Sequence, residues 1–165
     1  MTLRQAARTG NLDELLRLIQ AGADIHEKSK PSTWSEGGNT ALHAAVNDNQ
    51  VQAAELLLGY GANPNERGSN PWFPLDQAVR LKSLDMFYLL LRHGARPAPT
   101  DESGSTILHR IAENGLLTMA KVMVEGPYGI EINARTRGGW TPLRCAIQRK
   151  HPRVAAYLRS KGAVE

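Results

Sequence analysis

Two markers recur along this chain of 165 residues at a nearly constant spacing. One is a leucine in a short segment of the form Thr-Pro-Leu-His, and the other is a glycine that closes an apolar run. The leucines are Leu3, Leu42, Leu75, Leu108 and Leu143, and the glycines are Gly22, Gly61, Gly94, Gly129 and Gly162. Apart from six extra residues before Leu42 and two before Gly129, the period is 33 residues. This period indicates a stack of similar repeats, none of which can bury its apolar face alone.

The second repeat shows the pattern most clearly, with Gly-Asn-Thr-Ala-Leu-His-Ala-Ala at residues 38–45 and Gly-Ala-Asn at residues 61–63. This pattern resembles the ankyrin repeat, and the resemblance covers essentially the whole chain. It implies an all-α fold, an ankyrin-repeat solenoid of paired antiparallel helices with hairpin fingers. We expect one complete ankyrin-repeat domain over residues 1–165. Its repeats are expected at about 1–27, 38–66, 71–98, 104–134 and 139–165, with a long finger at 28–37.

Local signals predict where the helices begin and end. Thr40, Thr106 and Thr141 can cap the first helix of a repeat with their hydroxyl groups. Pro74 and Pro142 then occupy the first helical position, where the missing N–H group costs nothing. The second helix of each repeat is apolar and stops near a glycine, which can adopt a positive φ at a helix C-terminus.

The net charge of +4 conceals an asymmetry along the chain. Residues 1–134 carry 12 basic and 15 acidic residues, whereas residues 135–165 carry eight basic residues and one acidic residue, for a net charge of +7. A basic surface of this kind is either simply solvated or complementary to an acidic partner. Because the basic residues belong to no nucleic-acid-binding motif, nucleic acid is disfavoured as the partner.

Several classes of site lack a signal in the sequence. There is no apolar run of eighteen residues, no apolar signal segment, no zinc-ligand spacing and no glycine-rich phosphate loop. The single cysteine, Cys145, cannot form an internal disulfide and is expected to be a packing residue. We therefore expect a soluble, monomeric, intracellular protein of the cytoplasm or nucleus, with no cofactor, no metal and no membrane association.

The resemblance also implies where a partner binds, because ankyrin proteins characteristically use the hairpin tips and the exposed side of the first helix. Aromatic and arginine side chains commonly anchor such interfaces. The candidate partner-binding residues are Trp34, Asn39, Asn47, Asp48, Trp72, Arg80, Arg110, Glu113, Trp140, Arg144, Gln148 and Arg149. Two alternatives stay open: Trp72 and Trp140 could cover hairpin stems, and the long finger could be tolerated loop variation. The favoured function is a protein–protein interaction module or adaptor, whose unidentified partner would be acidic near the C-terminal repeat.

The alternative function is a small-molecule-binding protein or an unusual enzyme that uses a groove lined by tryptophan, histidine and aspartate. Its candidate catalytic residues are His43, Asp76 and His109, which occupy the fourth position of the Thr-Pro-Leu-His segment in successive repeats. The resemblance implies a structural role instead, since the histidine at this position usually hydrogen-bonds the backbone between neighbouring repeats. We therefore assign no catalytic residue, and the sequence favours the interaction module over an enzyme.

Overall fold

The computed structural model describes residues 1–30, 38–68, 73–97 and 101–165. In these ranges the chain forms pairs of helices and no strand, with seven residues in each first helix and nine in each second helix. The helices are α1 (Leu3–Thr9), α2 (Leu12–Gln20), α3 (Ala41–Asn47), α4 (Val51–Gly59), α5 (Pro74–Arg80), α6 (Leu84–Arg92), α7 (Ile107–Glu113), α8 (Leu117–Glu125), α9 (Pro142–Gln148) and α10 (Pro152–Ser160). The predicted all-α ankyrin fold is confirmed.

The first helices begin where the threonines predict. Thr141 accepts a hydrogen bond from the backbone N–H of Arg144 at 3.2 Å, and Thr40 and Thr106 form capping boxes with the histidines three residues later. Pro74 is the first residue of α5, as Pro142 is of α9. These caps satisfy backbone N–H groups that have no partner inside the helix.

The second helices α2, α4, α6 and α10 end as the glycines predict, whereas α8 ends before Gly126, whose φ is −83°. Gly22, Gly61, Gly94 and Gly162 follow the helix caps with φ values of 85°, 94°, 84° and 86°. Glycine adopts this left-handed conformation without the steric penalty of a Cβ atom. The extra residues of the fourth repeat follow α8, which ends at Glu125.

The helices form two compact units, an N-terminal unit of Met1–Arg96 and a C-terminal unit of Pro97–Glu165. In the N-terminal unit, first helices stack on first helices (α1 on α3, α3 on α5), and second helices stack in the same way (α2 on α4, α4 on α6). In the C-terminal unit, α7 packs on α9 and α8 packs on α10. The assignment of residues 1–165 to one domain stays a prediction.

Small side chains let the first helices approach closely. Ala6, Ala7, Ala45 and Ala78 are fully buried, and Leu75 of α5 is 1% exposed. Within each unit, a helix pair thus completes its core only against the neighbouring pair of that unit, as in other repeat proteins. None of the helices in the described parts of the chain combines the length and the apolarity that crossing a bilayer requires.

Candidate partner-binding surface

The predicted partner-binding residues fall into three groups. The N-terminal unit holds Asn39, Asn47, Asp48 and Arg80, and the C-terminal unit holds Arg110, Glu113, Trp140, Arg144, Gln148 and Arg149. Trp34 and Trp72 lie outside the described residues. The structure therefore brings together the first group within one unit and the second group within the other.

Trp140 stands at the base of a hairpin finger whose backbone is firmly held. Its N–H donates to the hydroxyl of Thr136 at 3.1 Å. Its carbonyl oxygen accepts from the N–H of Thr136 at 3.0 Å and from Nε2 of His109 at 2.9 Å. The indole is only partly buried, and the guanidinium carbon of Arg144 lies 4.8 Å from its ring centroid. A cation over an aromatic face at this distance is attractive, so the pair forms a fixed aromatic and cationic platform.

Helix α9 presents a mixed polar face next to Trp140. Arg144, Gln148 and Arg149 are exposed, and Ile147, which sequence reasoning did not include, is 37% exposed. Residues three and four positions apart share a helix side, which explains why this isoleucine joins the predicted residues. Cys145 is buried instead, and burial raises the pKa of its thiol to about 11. The thiol therefore stays protonated near neutral pH, in keeping with a packing residue.

Arg110 is more enclosed than a contact residue on an open face would be. Its side chain is 12% exposed, and its guanidinium donates to Oδ2 of Asp101 at 2.7 Å. The other carboxylate oxygen of Asp101 accepts from the backbone N–H groups of Ser103 at 2.8 Å and Ser105 at 2.9 Å. Arg110 thus ties the finger at residues 101–105 to α7. Asp101 was not singled out from the sequence, where its position three residues before the turn glycine Gly104 was the only available signal.

The pKa of Asp101 reflects this enclosure. Burial alone would raise it, but the hydrogen bonds from Ser103, Ser105 and Arg110 outweigh burial and hold the pKa below its ordinary value. Each of these donors favours the charged carboxylate. Asp101 is therefore an ionised anchor for the finger over the whole neutral range.

In the N-terminal unit, the predicted residues are more open. Asp48 lies 3.4 Å from Nε of Arg8, and the two side chains are 43% and 60% exposed. Arg80 donates to the side-chain oxygen of Gln77 at 3.0 Å. Ion pairs this exposed contribute little to stability. Contacts with a partner can therefore replace the ion pair between Arg8 and Asp48 at small cost in free energy.

The three residues of the alternative catalytic hypothesis are all buried. Asp76 and His109 are each 1% exposed and His43 is 6% exposed. Because the carbonyl of Trp140 can only accept, Nε2 of His109 carries the ring proton. Nδ1 then accepts from the N–H of Thr106 at 3.2 Å and from its hydroxyl at 2.8 Å. His109 makes the backbone contact that the resemblance implies, and both ring nitrogens are occupied.

Comparison with known proteins agrees with this geometry. A family model described as ankyrin repeats (three copies) matches residues 3–101 and 75–164. The target of rapamycin complex 2 subunit AVO2 of Saccharomyces cerevisiae is 31% identical over 167 residues, which covers 98% of this chain and 38% of that protein. The B-cell lymphoma 3 protein homolog of Mus musculus is 37% identical over 130 residues, covering 76% of this chain and 27% of that protein.

A third relative is the human transient receptor potential cation channel subfamily A member 1, which is 28% identical over 88% of this chain and 16% of the channel. The chain thus spans well under half the length of these relatives, and what it shares with them is the repeat array. The family model extends over nearly the whole chain, and the helix pairs, caps and glycine turns all follow the same period. This chain therefore belongs to the ankyrin-repeat family.

Proposed function

We propose that this chain is a protein–protein interaction module or adaptor, which binds its partner on the finger and first-helix face. In each unit we define this face as the hairpin fingers together with the exposed sides of the first helices, which are α1, α3 and α5 in the N-terminal unit and α7 and α9 in the C-terminal unit. Ankyrin repeats generally mediate protein–protein interaction. The yeast relative is by name a subunit of a larger complex, which supports an assembly role for a similar array.

The observation that carries the proposal is the platform formed by Trp140 and Arg144. Three hydrogen bonds hold the backbone of Trp140, so this part of the finger needs little ordering when a partner binds. Tryptophan and arginine are the residue types that most often dominate the energy of an interface. The exposed Ile147 adds apolar area on the adjoining α9 face.

The charges around the platform select an acidic segment of the partner. Arg137, in the finger, and Arg149, at the end of α9, are exposed and make no ion pair with any residue that the structure describes. By contrast, Arg159 and Lys161 are already paired with Glu165 and Glu125. Lys150 and Arg153, the latter on α10, are also exposed and make no ion pair with a described residue. Carboxylates of a partner on the finger and first helix would neutralise Arg137 and Arg149.

A photo-crosslinking experiment tests the proposed face directly. A photoreactive residue replaces Gln148, which is exposed on α9, in one preparation of the full chain and Tyr88, which is exposed on α6, in another. After irradiation in an extract of the native source, we expect a partner protein to be crosslinked to the chain through position 148 but not through position 88. Crosslinks through position 88 alone would move the interface to the second-helix side.

A further inference from the structure

A second surface feature belongs to the N-terminal unit, whereas the residues that carry the proposal above belong to the C-terminal unit. It is a solvent-open cavity of about 150 Å³ between α1 and α3. Cavities of about this volume hold a molecule the size of benzene, so a short side chain fits. The lining residues are Arg4, Gln5, Arg8, Asn39, Ala44 and Asn47.

Two arginines supply the positive charge of this cavity. Arg4 and Arg8 are one helical turn apart on α1, so their side chains share one side of the helix. Arg8 is partly neutralised by Asp48, whose carboxylate lies 3.4 Å away. Arg4 makes no ion pair with any residue in the described ranges. Two guanidinium groups and one neighbouring carboxylate leave the cavity with a net charge of one positive unit.

Amide groups complete the lining. The side-chain oxygen of Gln5 accepts the N–H of Thr2 at 2.9 Å as part of the cap of α1. This bond fixes the amide and leaves its NH2 group as a donor. Asn47 is exposed at the end of α3 and adds a second amide. The donors available here, guanidinium and amide N–H groups, are those that a carboxylate accepts.

We infer that this cavity is a subsite for the carboxylate of an aspartate or glutamate side chain of the protein partner. The inference rests on the proposed function for the source of that side chain. The charge balance favours a carboxylate over a phosphate group. One negative charge neutralises the cavity, whereas a phosphate carries about −1.5 to −2 and would leave excess negative charge beside Asp48.

The test is a nuclear magnetic resonance titration of the full chain with capped glutamate (N-acetyl-glutamate N-methylamide) at constant ionic strength. Capped glutamine and inorganic phosphate are titrated in parallel. We expect saturable shifts of the Nε–H signals of Arg4 and Arg8 and of the amide signals of Asn47 with capped glutamate. Capped glutamine should give no saturable shift, and phosphate should bind more weakly than capped glutamate.

Variants then assign the shifts to the cavity. Arg4→Gln should abolish saturation, whereas Arg17→Gln is the matched control, because Arg17 is an exposed arginine on α2 that pairs with Glu14. Asp48→Asn removes the competing carboxylate, so it should tighten binding of capped glutamate about three- to tenfold. The affinity for phosphate should rise by a larger factor than the affinity for capped glutamate. Folding of each variant is checked from the spread of its backbone amide signals, and Arg8→Gln replaces Arg4→Gln if the latter unfolds.

Three results would overturn the inference. They are equal shifts with capped glutamate and capped glutamine, saturation that survives Arg4→Gln or the Arg8→Gln variant used in its place, and tighter binding of phosphate than of capped glutamate to the unmodified chain. Since the probe is a small molecule, these results do not depend on the partner. They are therefore distinct from a failure of crosslinking at position 148, which would count against the proposed face itself.

Discussion

His109 and His43 are buried imidazoles, so their protonation opposes folding. Burial lowers the pKa of each imidazole below its ordinary value of 6.5. In His109, protonation would place a proton on Nδ1, which accepts hydrogen bonds from Thr106 in the fold. The neutral ring is therefore the form that the folded state requires, and the unfolded state takes up the proton first.

The first prediction follows from this difference. The free energy of unfolding should fall as the pH falls from about 6.5 toward the lower pKa of the folded state, with a slope of at most about 1.4 kcal/mol per pH unit for each histidine. Urea unfolding at a series of pH values measures this slope. A variant carrying His43→Gln and His109→Gln should show a shallower slope, while His26→Gln, which changes an exposed histidine, should not. Equal slopes in the unmodified chain, the double variant and the His26→Gln variant would contradict the prediction.

A second prediction concerns the indole of Trp140. Trp140→Ala should weaken binding of the crosslinked partner by about 2 kcal/mol or more, because it removes a rigid aromatic anchor and the stacking partner of Arg144. Calorimetry on the folded variant measures the loss. Tyr88→Ala is the control, since Tyr88 is an exposed aromatic residue on a second helix. If the two variants bind equally well, the anchor is elsewhere.

A third prediction concerns the charge of Arg149. Arg149→Glu should mainly slow association, and its effect should shrink as salt is added, because steering by exposed charges is screened. The matched control is Arg153→Glu, the same charge change on α10 of the same repeat. Association rates measured by stopped flow at several salt concentrations separate the two. A salt-independent effect of Arg149→Glu, or an equal effect of Arg153→Glu, would place the charge-sensitive contact off the first helix.

At the scale of elements, the finger at residues 101–105 is held both by backbone hydrogen bonds between Asp101 and Ser105 and between Gly104 and Asp101 and by the carboxylate of Asp101. Asp101 accepts from two backbone N–H groups and from Arg110 of α7. A second link joins this finger to the next one, since the N–H of Arg137 donates to the carbonyl of Ser103 at 2.8 Å. The orientation of two neighbouring fingers in the C-terminal unit therefore depends on Asp101.

The fourth prediction tests this dependence. Asp101→Ala should destabilise the C-terminal unit by about 1–3 kcal/mol, because it removes the acceptor of two backbone N–H groups and the carboxylate that pairs with the guanidinium of Arg110. Asp101→Asn keeps an oxygen that can accept the N–H bonds but removes the ion pair, so its loss should be smaller. Amide hydrogen exchange at Ser103 and Ser105 reports the loosening. Loss of protection of equal size in both variants would show that the charge, not the acceptor geometry, holds the finger.

At the scale of the whole molecule, stability in each of the two units comes from the stacking of successive helix pairs within that unit. The second helices α8 and α10 pack on each other, as do the first helices α7 and α9. Residues such as Ile111 and Met123 are fully buried although each belongs to a short element. No pair in the C-terminal unit can therefore be removed without exposing the apolar side of the other.

The fifth prediction is that deletion of residues 135–165 causes aggregation, whereas the full chain is expected to be monomeric. Light scattering after size-exclusion chromatography distinguishes the two. A point variant checks the same principle without truncation: Leu75→Ala should cost about 2–5 kcal/mol, since Leu75 is 1% exposed. Leu84→Ala, at a leucine that is 37% exposed, should cost much less. A truncated chain that stays monomeric with an unchanged melting curve would contradict the stacked arrangement.

The sequence by itself determined the repeat period, the starts and ends of the helices, and the identity of the core. These features are local. Thr106 caps the helix that follows it, and Pro142 restricts its own φ angle. Gly94 adopts a positive φ without the steric penalty of a Cβ atom. The period then places Leu75 where stacking buries it. Sequence spacing alone was enough to predict each of these.

Only the tertiary structure decided which polar groups meet. Register placed Arg110 on an open helix side, but the finger folds back so that Asp101 encloses it. Likewise, no spacing rule brings Arg4 beside Asn47, because they belong to different repeats and meet only when α1 packs on α3. Long polar side chains have many rotamers of similar energy, and the choice among them depends on partners supplied by distant parts of the chain. Hence the sequence predicted a binding face, while packing determined which of its charges pair within the chain, as Arg110 pairs with Asp101.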